Sequence, residues 1–225
     1  TIGYAIARAL KASAPPSKSW NIIFIGRRQP PPSITHIGKP PEALPYDTFL
    51  KAEMTDESSV ASTLNSHFAS LQSSDDASAR SLNRLDLLVN CAGCSLGDEP
   101  IADVPADTLR DVLEVNLILP FILSRWAMSK MAKNAAPETG GRIINIGSVA
   151  CESPRLHSLP YSTSKSALGG MTRALSIEGR HLARTTRTDT EGSVAVCQIN
   201  PGNVRSAIMS EEEAERRERE EGFVD

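Results

Sequence analysis

The sequence predicts one α/β domain over residues 1–225, with strands arranged in a doubly wound parallel sheet. Short unbroken apolar runs alternate with segments whose apolar residues recur at helical spacing, the pattern of buried parallel strands joined by helices. A chain of 225 residues can bury a substantial core and suits one domain. Polar residues follow each apolar run, and sheets of this kind bind ligands beyond the carboxyl ends of their strands.

Composition excludes several classes of function. The formal net charge of −3 gives no electrostatic reason to expect nucleic acid or an anionic membrane as a partner. No run approaches the roughly 18–20 apolar residues that span a bilayer, which predicts a soluble chain. Four cysteines do not make a disulfide scaffold in a chain of this length. Cys91 and Cys94 have the spacing of a redox or metal pair, but no second pair or histidine cluster accompanies them, so no metal site is predicted.

The first half of the chain alternates helix and strand. A helical pattern opens the chain, and an unbroken apolar run then predicts a buried strand that ends at Gly26. The second strand is weaker because charged residues interrupt it. The predicted segments are a helix at 2–14, a strand at 21–25, a proline-rich loop at 29–46, a strand at 48–54 and a helix that Asp56 caps.

The second half continues the alternation and contains two polar insertions. Pro120 falls inside the longest helical pattern and is expected to bend it. The predicted segments are a polar insertion at 72–81, a strand at 85–89, a helix at 106–134, a strand at 142–146, a helix at 160–182, a second polar insertion at 184–193 and a strand at 194–199.

Tyr161 and Lys165 are the residues on which the functional prediction depends. They stand four positions apart in a helical segment, and side chains at this spacing share one helix face. An ammonium beside a phenol favours the phenolate, which lets a tyrosine act as an acid or base nearer to neutral pH. Ser148 follows the strand at 142–146, and its hydroxyl could hold a substrate oxygen beside the phenol. The alternative is a surface tyrosine and lysine on an amphipathic helix.

Together with residues at the other strand ends, these three resemble the motifs of the classical short-chain dehydrogenase/reductase family, notably its 3-oxoacyl-[acyl-carrier-protein] reductases. The resemblance covers nearly the whole chain and implies a Rossmann-like fold. The matching residues are Asn90-Cys91-Ala92-Gly93, similar to Asn-Asn-Ala-Gly; Asn116, the helix asparagine; Ser148, Tyr161 and Lys165, the catalytic set; and Pro201-Gly202-Asn203-Val204-Arg205-Ser206, similar to the Pro-Gly-x-Val-x-Thr segment along the nicotinamide.

The resemblance implies a role for each catalytic residue. Tyr161 would give a proton to a carbonyl oxygen as hydride arrives from the cofactor, or take one from an alcohol in reverse. Lys165 would favour the Tyr161 phenolate and hold the nicotinamide ribose. Ser148 would fix the substrate oxygen and stabilise its developing charge. Asn116 would place a water linking Lys165 to solvent, although a helix-interior hydrogen bond explains that asparagine equally well.

The residues after the first two strands predict the cofactor. An acidic residue at the end of the second family strand usually binds the ribose of NAD, whereas an arginine there accommodates the 2′-phosphate of NADP. Here Gly26 stands in the acidic place and Arg27 and Arg28 follow it, which favours NADP over NAD. Glu53 and Met54 resemble the start of the family's Asp-Val-x-Asp segment beside the adenine, with Glu where Asp is usual.

The sequence departs from the family pattern at both ends. Of the glycine-rich loop that binds the diphosphate, only Ile2 and Gly3 remain, so the chain is expected to be truncated. The strand that precedes this loop in the family would lie between the strands at 21–25 and 85–89, and its loss predicts two open sheet edges or an abnormal pairing. The charged segment 210–221 stands where the substrate lid begins, and the family's last strand does not follow.

Two functions are therefore open. The first is an NADP-dependent oxidoreductase acting on a carbonyl or secondary alcohol. The second is a truncated, non-catalytic relic of the same fold with impaired cofactor binding. The resemblance also implies a homodimer through the helices at 106–134 and 160–182, with apolar surface from Leu117, Phe121, Leu168 and Met171. A cytoplasmic location is expected, and a mitochondrial one stays open because the N-terminus looks incomplete.

Overall fold

The computed structural model describes residues 2–14, 19–28, 33–34, 42–43, 45–134, 140–185, 193–202 and 204. The described strands are β1 (Ile23–Gly26), β2 (Ser33–Ile34), β3 (Glu42–Ala43), β4 (Thr48–Lys51), β5 (Leu87–Asn90), β6 (Gly141–Ile146) and β7 (Val194–Ile199). The α-helices are α1 (Ile2–Ser13), α2 (Glu57–Gln72), α3 (Ala77–Ser81), α4 (Ala106–Leu113), α5 (Leu119–Asn134) and α6 (Leu159–Thr185). Single 3-10 turns occupy Ile101–Asp103 and Val149–Cys151.

The main strands form two separate parallel sheets. One pairs β1 with β4, and the other has the order β5-β6-β7; β2 and β3 make a small antiparallel pair. Strands alternate with helices along the chain, which confirms the predicted α/β class. In the part of the chain that the structure describes, no strand joins β1 to β5. The predicted pair of open edges is therefore present at this position.

A shared hydrophobic core holds the two sheets together where hydrogen bonds do not. Ile25 of β1 and Leu88 of β5 pack against the same buried cluster, which comes from α2, α5 and the turn after β4. Its members are Ala52, Val60, Leu64, Leu119, Ile122 and Leu123. A second cluster lies between α5 and the larger sheet, and it is formed by Ala127, Met128, Met131, Ile143 and Val194.

The long helix predicted at 106–134 is interrupted by one π-helical turn. The α-helix α4 ends at Leu113, a π-helix covers Glu114–Ile118, and α5 continues from Leu119. Pro120 lies in the first turn of α5, where its missing N–H costs least. The irregularity expected at Pro120 is therefore a widened turn just before it.

The segment Ala106–Lys133 corrects the expectation that no stretch could span a membrane. Its 28 residues are long and apolar enough by length and composition, and half of its most apolar stretch is buried inside the protein. Core helices have the same character. Packing of α5 on the sheet, through Ile122 and Ala127, accounts for it.

Several predicted boundaries shift by one to three residues. β1 and β5 begin two residues later than expected and each extends one residue further, and β4 ends at Lys51 instead of residue 54. Asp56 caps α2 as predicted, because its side chain accepts a hydrogen bond from the Ser58 N–H at 2.9 Å. The first polar insertion contains the short helix α3. Most of the insertion at 184–193 and all of segment 210–221 lie outside the described residues.

Candidate active site

The carboxyl ends of β5, β6 and β7 meet around the first turns of α6. The peptide N–H of Gly147 donates to Ile199 O at 2.8 Å, and that of Val149 donates to Pro201 O at 3.0 Å. These two bonds hold the segment after β6, which contains Ser148, against the segment after β7. The Ser166 hydroxyl of α6 donates to Cys151 O at 3.0 Å. The turn after Ser148 is thus tied to the helix that carries Tyr161 and Lys165.

Lys165 is buried and its ammonium is fixed in place. Its side chain is 4% exposed, and Nζ donates a hydrogen bond of 2.8 Å to Ile146 O at the end of β6. Nζ also lies 5.7 Å from the centre of the Tyr161 ring. Burial lowers the pKa of Lys165, and the nearby Cys91 and Cys94 thiols oppose that shift. A buried cation therefore stands beside the tyrosine ring.

Asn116, in the π-helical turn, holds the loop after β5 against α6. Its Oδ1 accepts from the Cys94 N–H at 2.9 Å, and its Nδ2 donates to Cys94 O at 2.8 Å and to the Ser164 hydroxyl at 2.9 Å. The Ser164 hydroxyl in turn donates to Tyr161 O at 2.6 Å. Asn116 is fully buried, and all the hydrogen bonds of its side chain described above are to protein atoms. The water-placing role expected for it stays a prediction.

Gly93 is the point where this loop comes closest to the catalytic residues. A Cβ at Gly93 would lie 3.3 Å from Asn116 Oδ1 and 3.5 Å from Lys165 Nζ. Ala92 precedes it in the same extended segment. A side chain at residue 93 would crowd the amide and the ammonium, so glycine keeps this approach open.

Asn90 is placed differently from the family-based expectation of cofactor contact. Its side chain is buried, and Nδ2 donates to Asn145 Oδ1 at 2.8 Å and to the Ser124 hydroxyl at 3.1 Å. Its Oδ1 is buried without a hydrogen-bond partner among the described residues. The Asn90 amide is therefore bonded within the interior of the sheet.

Ser148 lies two residues after the end of β6 and is half-buried. It caps the turn Val149–Cys151, because its hydroxyl oxygen accepts from the Ala150 N–H at 3.1 Å. That bond leaves the hydroxyl hydrogen of Ser148 available to a substrate oxygen. Pro201, Gly202 and Val204 are described after β7, whereas Ser206 lies outside the described residues.

The predicted adenine-side residues lie at the ends of β1 and β4, in the smaller sheet. Arg27 and Arg28 are exposed just after β1. Glu53 is exposed after β4, with its N–H donating to the Ser59 hydroxyl at 3.0 Å, and Met54 packs against the core between the sheets. These four residues thus follow the paired strands β1 and β4 of the smaller sheet, whereas Ser148 follows β6 of the larger one.

Helix α1 connects the two groups of residues. At its first turn a Cβ on Gly3, which follows Ile2, would lie 3.5 Å from the Cys91 sulfur. Burial raises the pKa of the Cys91 thiol, and the Lys165 ammonium and the Gly3 N–H oppose that rise. The Tyr4 ring contacts Phe24 of β1 at a centroid distance of 5.3 Å. The N-terminus of α1 thus lies between the ends of β5 and β1.

Cys91 and Cys94 lie in an extended segment without a turn. Burial also raises the pKa of the Cys94 thiol. Both backbone groups of Cys94 are bonded to Asn116, which keeps this segment extended. The four cysteines are free thiols, and the described residues contain no group of three or more His, Cys, Asp or Glu side chains placed to hold a metal.

The residues present fit a nicotinamide dinucleotide at its nicotinamide end. The Lys165 ammonium has three N–H donors, and Ile146 O accepts only one of them. Gly93 leaves space beside that ammonium, and the start of α1 offers backbone N–H groups of the kind that bind phosphate. Exposed guanidinium groups of Arg27 and Arg28 suit a phosphate at the other end.

Sequence reasoning missed Asn145, Ser164 and Thr172, which hold the catalytic helix in place. The Ser164 hydroxyl joins Asn116 to α6. Asn145 could have been found, because a polar residue interrupts the apolar run of β6 at a position that alternation places in the core. The bond between Ser164 and Asn116 gave no signal, since Asn116 lies 48 residues away on another helix.

Comparison with known proteins gives one family. A family model described as "short chain dehydrogenase" matches residues 2–217. An oxidoreductase of Escherichia coli (strain K12) named YohF and described as uncharacterized is 38% identical over 97 residues, which are 43% of this chain and 37% of that protein. The chain spans about half or less of the length of the curated relatives that it matches.

Solved structures share the fold at lower identity. A structure named ElxO with NADP bound is 21% identical with a TM-score of 0.57, over 78% of this chain and 58% of that one. The 3-ketoacyl-(acyl-carrier-protein) reductase from Brucella melitensis complexed with NADH is 20% identical with a TM-score of 0.57, over 72% of this chain and 58% of that one.

Proposed function

Because the chain belongs to the short chain dehydrogenase family, and is therefore a relative of oxidoreductases, we propose that it is an NADP-dependent ketoreductase. It would transfer a hydride between nicotinamide and a carbonyl or secondary alcohol, with 3-oxoacyl groups among the candidate substrates. One observation carries the proposal. Lys165 is buried, bonded to Ile146 O, and placed 5.7 Å from the Tyr161 ring at the edge where the strands end.

In this proposal the chain's own residues bind the reactants and move one proton. The Tyr161 hydroxyl gives its proton to the carbonyl oxygen in reduction and removes it from the alcohol in oxidation. The Lys165 ammonium stabilises the phenolate and binds ribose hydroxyls with its remaining donors. The Ser148 hydroxyl donates to the substrate oxygen as negative charge develops there. NADPH supplies the hydride when it is bound.

The preference for NADP rests on Arg27 and Arg28. Both follow β1 and are exposed, and planar guanidinium groups bind phosphate through two parallel hydrogen bonds. Fold neighbours contain either NADP or NADH, so the fold does not favour one cofactor. The arginines supply the argument, since the acidic residue expected for NAD is replaced by Gly26.

Fluorescence titration with NADPH and NADH tests the cofactor assignment. Arg27→Asp should weaken NADPH binding by roughly tenfold to a hundredfold, the loss expected for one charge-assisted hydrogen bond, and should change NADH binding little. Arg84→Asp, another exposed arginine that precedes β5, is the control and should leave both affinities unchanged. Equal weakening of both cofactors by Arg27→Asp would contradict the NADP assignment. A wild-type chain that binds neither cofactor would favour the non-catalytic relic.

Self-association through the long helices is part of the proposal. Phe121 of α5 is 41% exposed and Leu159 of α6 is 45% exposed, which leaves apolar surface for a second copy. Leu168 is 1% exposed and packs inside the protein, so its expected place in the interface is wrong. Light scattering should give a dimer that Phe121→Glu converts to a monomer, whereas Ile101→Glu, outside these helices, should not. A stable tetramer would contradict this arrangement.

A further inference from the structure

A row of hydrogen-bonded polar side chains crosses the larger sheet just below the candidate site. Asn90, Asn145 and Gln198 occupy the same register position on β5, β6 and β7. Asn90 Nδ2 donates to Asn145 Oδ1, and Asn145 Nδ2 donates to the Thr172 hydroxyl of α6, both at 2.8 Å. Thr172 Oγ1 lies 3.3 Å from Gln198 Oε1. Each of these strands continues from the row into a segment of the candidate site.

The centre of this row, Asn145 and Thr172, occupies buried positions where apolar side chains would be expected. Ile143, two residues before Asn145 on the same face of β6, is fully buried in the core under α5. Asn145 is also fully buried, and Thr172 is 6% exposed. A buried amide is costly unless both of its polar atoms are bonded, and both are bonded here. A polar side chain retained in a core has its best-attested role in fixing register.

The Thr172 hydroxyl is held in one orientation, in which it accepts a hydrogen bond from the Asn145 amide. Its hydroxyl donates to Leu168 O, one turn back in α6, at 2.8 Å. A hydroxyl has a single donor, so its lone pairs are left for the Asn145 amide. Lys165 stands seven residues before Thr172, two turns along the same helix face. The helix is therefore bonded to β6 at two points: Lys165 to Ile146 O, and Thr172 to Asn145.

We propose that Asn145 and Thr172 are positioning residues for Lys165, because their bond fixes the rotation and height of α6 on β6. The inference rests on the proposed function only in so far as Lys165 is assigned a role in catalysis. Ile146, whose carbonyl accepts from Lys165, is the residue directly after Asn145. If the lower attachment is lost, α6 can shift on the sheet and the ammonium leaves Ile146 O more often. Lys165 then becomes more accessible and the tyrosine loses a fixed cation.

Competitive acetylation of lysines in the full chain, read by mass spectrometry, reports on Lys165 without any need for activity. Thr172→Val keeps the side-chain shape and removes the acceptor, and Thr172→Ala is measured beside it. Both should raise Lys165 labelling about tenfold, the factor for loss of one buried hydrogen bond. Thr172→Ser restores the hydroxyl and should return labelling to within about twofold of the wild type. Hydrogen exchange should rise in peptides covering 145–148 and 161–168.

Ser124→Ala is the matched control, because it removes a buried hydroxyl from the other end of the same row. The Ser124 hydroxyl accepts from Asn90 Nδ2 and is not bonded to α6 in this row. It should destabilise the fold similarly and leave Lys165 labelling within about twofold of the wild type. Hydrogen exchange in α2 measures global opening in every variant.

Two results would overturn the inference. Lys165 labelling that stays within about twofold of the wild type in both Thr172→Val and Thr172→Ala would show that the bond does not position the lysine. An equal rise in Ser124→Ala would show that general loosening is the cause. Failure of the proposed function is a separate result. A wild-type chain that binds no NADPH can still show protected Lys165, and an active enzyme can still show labelling that Thr172 does not affect.

Discussion

The two sheets hold their candidate site residues in different ways. Beside the larger sheet, Lys165 of α6 and Asn116 of the π-helical turn are buried and bonded to backbone atoms of neighbouring segments. In the smaller sheet, Arg27 and Arg28 are exposed at the end of β1. Preorganised polar groups lose little entropy on binding, whereas exposed long side chains must be ordered. Under the proposed function, this difference would give the proton-transfer residues fixed positions and leave the cofactor preference to adaptable side chains.

Aromatic side chains pack along the smaller sheet. Phe24 contacts Tyr4 at a centroid distance of 5.3 Å and stacks on Tyr46 at 5.1 Å, and Tyr46 contacts Phe49 at 6.4 Å. Such contacts are less specific in direction than the bonded amides of β5 and β6. Substitutions should therefore be tolerated more readily on this side of the protein.

The largest expected difference between the two sides of the protein is the effect of a tyrosine substitution on the catalytic rate. Tyr161→Phe should lower the rate of carbonyl reduction by about a hundredfold to ten-thousandfold, because it removes the proton donor. NADPH affinity should stay close to that of the wild type, since Lys165 and the helix remain. Tyr46→Phe removes the same hydroxyl from the smaller sheet and should keep the full rate. Steady-state kinetics beside fluorescence titration gives both numbers. A Tyr161→Phe enzyme with more than about a tenth of the wild-type rate would contradict the assignment.

The second expected difference between the sheets is the loss of stability when an alanine replaces a glycine, and it is smaller than the catalytic effect. A Cβ at Gly179 of α6 would lie 2.1 Å from Val194 O of β7, a backbone atom that cannot rotate away. Gly179→Ala should lower the free energy of unfolding by about 1–3 kcal/mol. In the smaller sheet a Cβ at Gly26 would meet only Phe49 ring atoms at 3.8 Å or more, so Gly26→Ala should change stability by less than about 1 kcal/mol.

Gly170→Ala is an internal control for this comparison. It lies in α6, and the nearest atom to its added Cβ is Arg173 Nη2 at 3.8 Å. Alanine in an open helical position should stabilise by about 0.5–1 kcal/mol. Urea denaturation measures all three variants. Equal losses at Gly179 and Gly26 would remove the distinction between the two sheets.

The smallest expected effect is a pH dependence that belongs to the larger sheet. Burial lowers the pKa of Lys165 below its ordinary value of 10.5, so the folded protein binds fewer protons there than the unfolded chain. The contribution of Lys165 to stability is therefore fullest above about 10.5 and is lost as the pH falls through the lowered pKa. The stability of the wild type relative to Lys165→Met should rise with pH in this window.

The pKa values of Cys91 and Cys94, which burial raises, also depend on the Lys165 charge, so this measurement needs a background without these thiols. Urea denaturation between about pH 7 and 11 in a Cys91→Ser/Cys94→Ser chain isolates the lysine. If the difference in the free energy of unfolding between this chain and its Lys165→Met variant is constant, or falls as the pH rises, burial does not lower the pKa of Lys165.

Most of the fold could be predicted because its signals are local. Apolar runs at 21–25, 85–89 and 142–146 identify strands whatever surrounds them. β4 ends early because the Ser59 hydroxyl accepts from the Glu53 N–H. No pattern within residues 48–54 indicates that bond.

The interior of the candidate site could not be predicted, since its contacts are distant in sequence and often involve backbone atoms. Asn116 is bonded to the N–H and carbonyl of Cys94, 22 residues away. These are backbone groups, so the type of residue at position 94 does not reveal the bonds. Lys165 is bonded to a carbonyl 19 residues away. The candidate catalytic residues were identified from motif spacing, and their roles stay predictions.

The π-helical turn at Glu114–Ile118 has a consequence for how insertions and deletions act on this helix. A π turn closes hydrogen bonds one residue further along than an α-helix does, and each residue of an α-helix advances the angular phase by about 100°. Removing one residue between 114 and 118 would therefore restore a regular α-helix and leave α4 and α5 close to their present relative rotation, because the π turn covers with one extra residue nearly the angle that an α turn covers. The buried Val112 of α4 would stay in the core, whereas Asn116, which lies inside the turn, would lose its present angle to Cys94. A change of length at this turn thus acts locally on the bonds of Asn116 and spares the packing of the helices on either side.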